Sequence, residues 1–218
     1  MIDRSVRLFA DSADADAVRP LLEGSLVHGV STNPTLLERA GRTTDDIAVL
    51  AKEWTDLGAR EVFAQSWGES EDDIERRARG ILELDAHMVV KIAATRAGFA
   101  VGSRLARAGH PVLLTAVYTP GQALAAASSG IRYIAPYLGR MRDAGLGDIE
   151  TLARMQSVCG SSGTEVFAAS VRTPEDIVQL VDAGITAITA NPTVLWELLA
   201  HPATEASASD FNAAGSIV

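Results

Sequence analysis

One lysine of the sequence lies inside a short apolar segment that has the composition of a β-strand. The alternation of side chains along Met88 to Ala93 places Val89 and Lys91 on one face of that strand. An ammonium group among apolar neighbours loses its proton more readily, and the neutral amine attacks carbonyl carbons. Lys91 is therefore a candidate Schiff-base nucleophile. From this residue alone, the alternative is a lysine that extends to solvent or pairs with an acid.

Polar residues lie at or near the ends of six other predicted strands. Asp11 ends the first of these strands, and Tyr137 lies in the sixth. In the seventh strand, alternation places Ala168, Ser170 and Arg172 on one face. The full set is Asp11, Asn33, Gln65, Thr115, Tyr137, Ser170 and Arg172.

Each of these residues also has an ordinary structural explanation. Asp11 could cap the first helix, Thr115 could be a strand threonine, and Tyr137 could be a half-buried core residue. A barrel interior that serves packing alone would hold branched apolar side chains at such positions. The convergence of polar groups from seven strands therefore favours a site that binds sugar hydroxyls or a reacting water.

The elements that must position these residues alternate along the chain. Short β-branched or apolar segments are followed by longer segments with helical periodicity, a pattern typical of parallel βα units. We count eight strands and eight helices. The predicted strands are Val6 to Asp11, Gly29 to Asn33, Val62 to Gln65, Met88 to Ala93, Val112 to Tyr118, Tyr133 to Gly139, Glu165 to Val171 and Ala187 to Ala190.

Residues that favour helix ends lie between these strands. Capping side chains and first-turn prolines predict where the helices begin, and glycines predict where they stop. The predicted starts are at Asp14, Asn33, Ser70, Thr119, Asp148, Thr173 and Asn191, and the predicted stops are at Gly58, Gly109, Gly130, Gly160 and Gly184.

Eight βα units in 218 residues predict one α/β domain, a (β/α)8 TIM barrel over residues 1–218 with a short tail from about residue 203. An open doubly wound sheet is the alternative, but no glycine-rich nucleotide fingerprint follows a strand. In a barrel, the chemistry takes place at the carboxyl ends of the strands, where the polar residues lie.

The charge of the chain restricts its partners. A formal net charge of −9 and an isoelectric point of about 4.9 repel phosphodiester backbones and acidic membrane surfaces. We therefore expect neither a nucleic-acid partner nor a membrane partner. An anionic small molecule remains possible if a few arginines gather locally. The apolar segments are far shorter than the roughly 20 residues that span a bilayer.

Cysteine and histidine usage gives further expectations. The lone Cys159 cannot form an intramolecular disulfide, and the first residues lack the pattern of a secretory signal, which favours a cytoplasmic location. The four histidines stand apart, without the spacing of a metal site. We therefore expect neither a metal nor a nucleotide cofactor.

Five segments of the chain resemble those of a known enzyme family. The Thr-Asn-Pro-Thr and Val-Val-Lys-Ile segments, in this order, are the most specific of them. On these residues the chain resembles the transaldolase family, and within it the small subfamily of fructose-6-phosphate aldolases and short transaldolases, over residues 6 to about 205. The five segments are Leu8 to Ser12, Gly29 to Thr35, Val89 to Ile92, Tyr133 to Arg140 and Thr164 to Arg172.

The resemblance implies a class I mechanism that needs no cofactor. Lys91 would condense with the C2 carbonyl of a sugar phosphate such as fructose 6-phosphate. The C3–C4 bond would then break, glyceraldehyde 3-phosphate would leave, and a dihydroxyacetone enamine would stay bound. Release of free dihydroxyacetone makes an aldolase, whereas transfer to an aldose phosphate makes a transaldolase.

Two positions bear on that choice. Transaldolases resemble one another in carrying glutamate at the position of Gln65 and usually phenylalanine at that of Tyr137, whereas the aldolase branch is similar to this chain. The strand around Thr115 also resembles the aldolase version. A carboxylate can act as a base toward water, but an amide cannot. The resemblance therefore favours an aldolase with Tyr137 as acid/base and Gln65 holding the water. A transaldolase and a catalytically inactive sugar-binding barrel remain the alternatives.

The resemblance also implies roles for the other polar residues. Asp11 would handle proton movement or the C4 hydroxyl, and Asn33 would bind the dihydroxyacetone hydroxyls. An arginine at the mouth suits a phosphate, because its guanidinium meets oxyanions with two hydrogen bonds. The implied substrate-binding residues are Thr32, Asn33, Arg140, Ser170 and Arg172.

The chain departs from this family pattern in two places. Trp67 is larger than the family pattern leads us to expect, and it would narrow the acceptor side of the site. The tail after His201 and Pro202 is short, and Ser207 to Asn212 is a poor helix sequence. We therefore expect a homo-oligomer in which the tail exchanges between subunits less than in the family.

Overall fold

The computed structural model describes residues 5–160 and 162–215 and shows a closed barrel of eight parallel strands. Each strand pairs with the next one along the chain, and the last strand pairs with the first. This confirms the α/β class and the (β/α)8 TIM barrel. The strands are β1 (Arg7–Asp11), β2 (Gly29–Ser31), β3 (Glu61–Gln65), β4 (Met88–Ala93), β5 (Val112–Val117), β6 (Tyr133–Pro136), β7 (Glu165–Val171) and β8 (Ala187–Ala190).

The strand boundaries differ from the prediction mainly at β6. The sequence predicts a strand over Tyr133 to Gly139, but β6 ends at Pro136 and a helix begins at Leu138. Tyr137 lies between them, and its backbone forms a single bridge to Ala169 of β7. Tyr137 is therefore held at the junction between a strand and a helix.

The described residues contain eleven α-helices, three more than the eight expected. The connections after β2 and β6 each hold two helices, and one more helix follows the barrel. No helix in the described residues is both long and apolar enough to cross a membrane. The helices are α1 (Ala15–Glu23), α2 (Pro34–Arg39), α3 (Ile47–Asp56), α4 (Glu71–Leu82), α5 (Arg96–Arg107), α6 (Pro120–Ser128), α7 (Leu138–Asp143), α8 (Ile149–Cys159), α9 (Pro174–Asp182), α10 (Pro192–Leu199) and α11 (Pro202–Gly215).

Hydrogen bonds at the helix ends confirm the predicted starts. The side-chain oxygen of Asn33 accepts from the backbone amide of Leu36, and that of Thr119 accepts from Gln122. The other five predicted caps also accept backbone hydrogen bonds. The five predicted glycine stops all have positive φ, a conformation that favours glycine at a helix end.

Aromatic rings fill most of the barrel interior below the carboxyl ends of the strands. The ring centroids of Phe9, Phe63 and Phe167 lie 4.5, 4.8 and 5.4 Å apart. Tyr133 packs against Phe63 at 5.5 Å. All four rings are buried, and a larger aliphatic core lies between the strands and the helices. The aromatic layer therefore keeps water away from the floor of the barrel mouth.

Charged groups close the amino-terminal end of the barrel. The guanidinium of Arg7 donates to both carboxylate oxygens of Glu165 and to the hydroxyl of Tyr133, the latter at 3.0 Å. Glu61 accepts from the Tyr133 hydroxyl at 2.9 Å and forms an ion pair with Arg132 at 2.8 Å. These contacts provide partners for charges that would otherwise be costly to bury.

Strands β5 and β7 each contain an irregularity near the carboxyl end. The pairing of β5 with β6 shifts after Thr115, and the pairing of β7 with β8 shifts after Ala168. Ala116 and Ser170 lie in these shifts with φ of 58° and 57°. Such angles cost roughly 1–3 kcal/mol outside glycine, and bulges of this kind redirect side chains next to functional sites.

The carboxyl-terminal tail is helical, so the expectation that Ser207 to Asn212 is a poor helix sequence is wrong. Helix α11 spans this segment. A proline in the first turn, several alanines, and a hydrogen bond from the amide of Ala203 to Nδ1 of His201 all favour the helix. None of the described side chains of α11 is buried, and Phe211 is 74% exposed.

Candidate active site

A cavity of about 200 Å³ opens at the carboxyl ends of the strands. This is the end of the barrel at which (β/α)8 folds place their chemistry. Six of the ten residues that the sequence predicts for the site line this cavity. The lining consists of Asp11, Asn33, Thr35, Leu36, Arg39, Lys91, Tyr137, Arg140, Ala169 and Ser170.

Lys91 lies at the floor of the cavity, and only 6% of its surface is exposed. Its Nζ donates hydrogen bonds to Oγ of Ser31 at 2.9 Å and to the carbonyl oxygen of Thr32 at 3.1 Å. Burial lowers the pKa of Lys91 from the ordinary value of 10.5, and the charge of Asp11 opposes that shift. An amine that is held in this way and loses its proton readily can attack a carbonyl carbon.

Asp11 shares the floor of the cavity with Lys91. Burial raises the pKa of Asp11, while the charge of Lys91 and a hydrogen bond from Ser31 lower it in part. Because the Ser31 oxygen accepts from Lys91, its own proton can be donated to the carboxylate. A hydrogen-bonded path therefore links the amine to the acid. The sequence analysis missed Ser31, although alternation places it on the same strand face as Asn33.

Tyr137 and Thr115 form a second polar pair. The phenol oxygen of Tyr137 and Oγ1 of Thr115 are 2.5 Å apart. Burial raises the pKa of Tyr137, whereas the hydrogen bond with Thr115 and the charge of Arg140 lower it in part. The Arg140 guanidinium lies 4.6 Å from the centroid of the Tyr137 ring. The phenol is therefore protonated at neutral pH and can act as a proton donor.

Ser170 reaches the cavity in a way that strand alternation does not predict. The expected common face of Ala168, Ser170 and Arg172 is wrong. Ala168 packs into the core beneath the helices, whereas its neighbour Ala169 packs into the barrel interior. Alternation holds through Ala169 and is interrupted by the bulge at Ser170, which lines the cavity beside Ala169.

Gly139 lets Arg140 approach the same side of the cavity. A Cβ atom at Gly139 would lie 2.7 Å from the carbonyl oxygen of Ser170 and 2.5 Å from Nε of Arg172. Helix α7 therefore packs closely against β7 only because this residue has no side chain. As a consequence, Arg140 and Ser170 line one cavity.

Arg172 lies outside the lining of the cavity. Its guanidinium binds both carboxylate oxygens of Asp143, with Nη1 donating at 2.8 Å, and its side chain is 53% exposed. Its backbone amide donates to Asp176. The role expected from the sequence, binding an anion in the cavity, would require the ion pair with Asp143 to open.

Three further predicted residues surround the floor. Gln65 ends β3, where its Cα pairs with that of Lys91. Phe63, two residues earlier, packs in the barrel interior, so alternation places Gln65 on the same inner face. Thr32 contributes its carbonyl oxygen to Lys91, and within the described residues its buried hydroxyl has no hydrogen-bond partner. Asn33 lines the cavity, and because its Oδ1 caps α2, its NH₂ group is the part suited to bind a hydroxyl.

Trp67 does not line this cavity, so the expectation that it narrows the acceptor side is wrong. The guanidinium of Arg77 lies 5.1 Å from the Trp67 ring, and its Nη1 donates to the Trp67 carbonyl at 3.1 Å. The ring instead lines a separate cavity beside α3 and α4, together with Ile47 and Leu84.

Helix α2 supplies three lining residues that the sequence analysis missed. Thr35, Leu36 and Arg39 follow the cap at Asn33. Helical spacing places Thr35 and Arg39 on one face of the helix, and this pattern could have indicated a shared polar surface. The sequence does not show, however, that this face of a six-residue helix turns toward the barrel mouth.

The charges of the lining define what the cavity can do. Arg39 and Arg140 at the mouth outnumber the single acid Asp11, which makes the cavity locally basic in a chain with a net charge of −9. Among residues 5–160 and 162–215, no group of three or more His, Cys, Asp or Glu side chains is arranged to hold a metal ion. The cavity combines a nucleophilic amine, a proton donor and cations that can bind an anion.

Comparison with known proteins agrees with this arrangement. The family model described as transaldolase/fructose-6-phosphate aldolase matches residues 8–216. The chain is 33% identical over 216 residues to a probable transaldolase from Ruegeria sp. strain TM1040, covering 96% of this chain and 98% of that protein. It is 34% identical over 210 residues to a probable transaldolase from Cereibacter sphaeroides, covering 95% of this chain and 94% of that protein. A probable transaldolase from Symbiobacterium thermophilum is 30% identical over 208 residues, covering 94% of this chain and 95% of that protein.

Solved structures show the same fold at low sequence identity. Thiamine phosphate pyrophosphorylase from Pyrococcus furiosus superimposes with a TM-score of 0.63 at 16% identity, covering 88% of this chain and 89% of that one. A mandelate oxidase superimposes with a TM-score of 0.60 at 16% identity, covering 86% of this chain and 65% of that one. These similarities concern the barrel alone.

The effect of Asp11 on Lys91 can be measured. Since the charge of Asp11 raises the pKa of the buried amine, we expect Asp11→Asn to lower the pKa of Lys91 further. The pH dependence of Lys91 carbamylation by cyanate, followed by peptide mass spectrometry, should shift to lower pH. Asp14→Asn, which exchanges one good helix cap for another at an exposed position, is the matched control. An unchanged or higher midpoint in Asp11→Asn would contradict the coupling.

Proposed function

The chain belongs to the transaldolase/fructose-6-phosphate aldolase family, and we propose that it is a class I aldolase in which Lys91 forms a Schiff base with a ketose phosphate such as fructose 6-phosphate. The products are dihydroxyacetone and glyceraldehyde 3-phosphate. The observation that carries the proposal is the buried Lys91 amine, with a pKa lowered by burial, at the floor of a cavity with arginines at its mouth.

The first half of the reaction forms the imine. The neutral Lys91 amine attacks the C2 carbonyl of the ketose, and the resulting carbinolamine loses water to give an iminium ion. The phenol of Tyr137, which burial keeps protonated, donates the proton that the departing water requires. The amine is the protein's own group, so the reaction needs no cofactor.

The second half breaks the carbon–carbon bond. Asp11 takes the proton of the C4 hydroxyl, the C3–C4 electrons move into the iminium, and the aldehyde leaves an enamine on Lys91. A carboxylate whose pKa is raised by burial is better suited to accept a proton than an ordinary aspartate. The Tyr137 phenolate left by the dehydration step takes a proton back from solvent, and the phenol then protonates C3. Water hydrolyses the iminium to release dihydroxyacetone and the free amine, and the proton freed by this step and the proton held by Asp11 return to solvent.

Gln65 supports the aldolase over the transaldolase outcome. Its position beside Lys91 in the register of β3 and β4 suits it to hold the water that hydrolyses the iminium. An amide can position that water but cannot deprotonate it, so Tyr137 carries the acid/base role. The alternative is transfer of the dihydroxyacetone unit to an aldose phosphate, which the names of the relatives, probable transaldolase, favour.

The anion of the substrate binds at the mouth. Arg140 and Ser170 line the cavity beside Tyr137 and supply donors suited to a phosphate. Arg172 can join them only if its guanidinium leaves Asp143. For Thr32 and Asn33 we propose contacts with the dihydroxyacetone hydroxyls, through the buried Thr32 hydroxyl and the Asn33 amide.

We also propose that the protein is a homo-oligomer. A 14-residue helix is marginal in water on its own, and α11 buries none of its described side chains. Trp196, Leu199 and Phe211 add exposed apolar surface at this end of the chain. Because α11 is formed, the expectation of reduced tail exchange loses its basis.

Reductive trapping tests the Schiff base directly. Incubation with dihydroxyacetone and borohydride should add the reduced dihydroxyacetone unit to Lys91 and to no other residue, because only Lys91 has a buried amine at the cavity. Lys52, the other lysine, is exposed and paired with Asp56, and it is an internal control in the same mass spectrum. A label on Lys52, or an unlabelled protein, would point to a non-catalytic sugar-binding barrel.

Removing the Tyr137 hydroxyl should separate binding from catalysis. We expect Tyr137→Phe to lose about 10²- to 10⁴-fold in ketose cleavage, the usual contribution of an acid/base group, while reductive trapping at Lys91 persists. Tyr118→Phe is the matched control, because its ring packs edge-on against Tyr137 at 6.1 Å and it does not line the cavity. Near-full cleavage activity in Tyr137→Phe would transfer the acid/base role to Asp11.

A single substitution should move the enzyme toward transfer. Gln65→Glu places a carboxylate where we propose the water to bind, so we expect a higher ratio of dihydroxyacetone transferred to an aldose phosphate over dihydroxyacetone released. Product analysis by chromatography measures this ratio. Gln179→Glu, at an exposed position of α9 away from the cavity, is the control. An unchanged ratio in Gln65→Glu would remove Gln65 from the water site.

A further inference from the structure

Arg39 faces the cavity from the last turn of α2. The helix begins at Pro34, separated from the end of β2 by two residues, and Arg39 is its final residue. Thr35, one turn earlier, and Leu36 line the cavity with it. Arg39 therefore belongs to the wall of the site, although its guanidinium is on the exposed rim.

Two of the four charged groups in the lining form no ion pair with a described carboxylate. Asp11 and Lys91 face each other at the floor and compensate each other in part. Within residues 5–160 and 162–215, neither Arg39 nor Arg140 has a carboxylate oxygen within 4.0 Å. Arg140 interacts with the Asp11 charge at longer range and lies over the Tyr137 ring, so the mouth carries two guanidinium charges that carboxylates compensate at most in part.

By contrast, two neighbouring arginines form ion pairs with carboxylates. Arg42, three residues after Arg39, forms an ion pair with Asp46 at 3.8 Å and does not line the cavity. Arg172 binds Asp143. Arg60, Arg96, Arg107 and Arg154 also form no ion pair within the described residues, so Arg39 and Arg140 are distinguished by combining an unpaired guanidinium with a place in the cavity lining.

The guanidinium groups of Arg39 and Arg140 come from opposite sides of the barrel mouth. Arg39 follows β2 and Arg140 follows β6, and these strands are four positions apart in a closed ring of eight. Lys91 on β4 lies midway between them along one side of the ring. A ligand that reaches Lys91 at the floor extends outward between the two arginines.

We propose that Arg39 is a specificity residue that binds the phosphate monoester of the substrate opposite Arg140. This inference rests on the proposed aldolase function. A phosphate monoester carries a charge of about −1.5 to −2 at neutral pH and has three acceptor oxygens. One guanidinium leaves part of that charge uncompensated, whereas two from opposite sides can meet the dianion with bidentate hydrogen bonds. Arg39 therefore selects a dianionic phosphate over a monoanionic head group such as a sulfonate.

The test compares Arg39→Ala with a matched control on the same segment. We expect Arg39→Ala to raise KM for fructose 6-phosphate on the order of ten-fold, the low end for a charge-assisted contact because the rim is exposed. The effect on an unphosphorylated ketose should be much smaller. Arg42→Ala removes an arginine of the same helix end that is already paired, and it should leave both KM values within about two-fold. Arg39→Lys keeps the positive charge but not the planar guanidinium that donates two parallel hydrogen bonds, so it should restore part of the lost affinity.

Direct binding of inorganic phosphate provides a readout that does not depend on turnover. Calorimetric titration with phosphate should show weaker binding in Arg39→Ala than in the unsubstituted protein and in Arg42→Ala. An Arg39→Ala variant that behaves like Arg42→Ala in both KM and phosphate affinity overturns the inference. So does a large phosphate-specific loss in Arg172→Ala alone. Loss of trapping at Lys91 in the unsubstituted protein would instead reject the aldolase function, and the phosphate titration would still decide the role of Arg39.

Discussion

The burial of the Lys91 side chain is the constraint on which the rest of the site depends. A charged ammonium in a dry environment is costly, so the group either loses its proton or gains compensating partners. The aromatic layer of Phe9, Phe63 and Phe167 excludes water from below. Compensation from Ser31, a backbone carbonyl and the nearby carboxylate is partial, and the pKa of Lys91 stays lowered. The same burial that costs stability gives the amine its reactivity.

Backbone irregularity is the second contribution to the site. The bulges in β5 and β7 flank β6, and both contain a non-glycine residue with positive φ. One bulge directly follows Thr115, whose hydroxyl contacts Tyr137, and the other brings Ser170 to the cavity lining. Conformations that cost roughly 1–3 kcal/mol persist when the surrounding structure holds them, and here the regular strands of the barrel do so. Strain is thus located where the side chains must leave the ordinary alternation.

The parts of this structure that follow local rules could be predicted from the sequence, and the parts that depend on tertiary context could not. Apolar segments, capping residues and glycines located the eight strands and most helix ends, and strand alternation placed Lys91 inside the barrel. The same alternation failed at Ser170, because a bulge cannot be recognised from residue types alone. Arg172 was assigned to the cavity although it is paired with a distant acid, whereas Arg39 was missed because the orientation of a short helix depends on packing.

Burial holds the Lys91 amine at a pKa below the ordinary lysine value. The chain contains two lysines, so uniform ¹³C labelling of lysine gives two Cε signals in an NMR titration, and Lys52→Arg assigns them. We expect the Lys91 Cε signal to titrate below the ordinary lysine pKa of 10.5. A Lys91 signal that titrates at or above that value would contradict this expectation, because the amine would then be no more acidic than that of an exposed lysine.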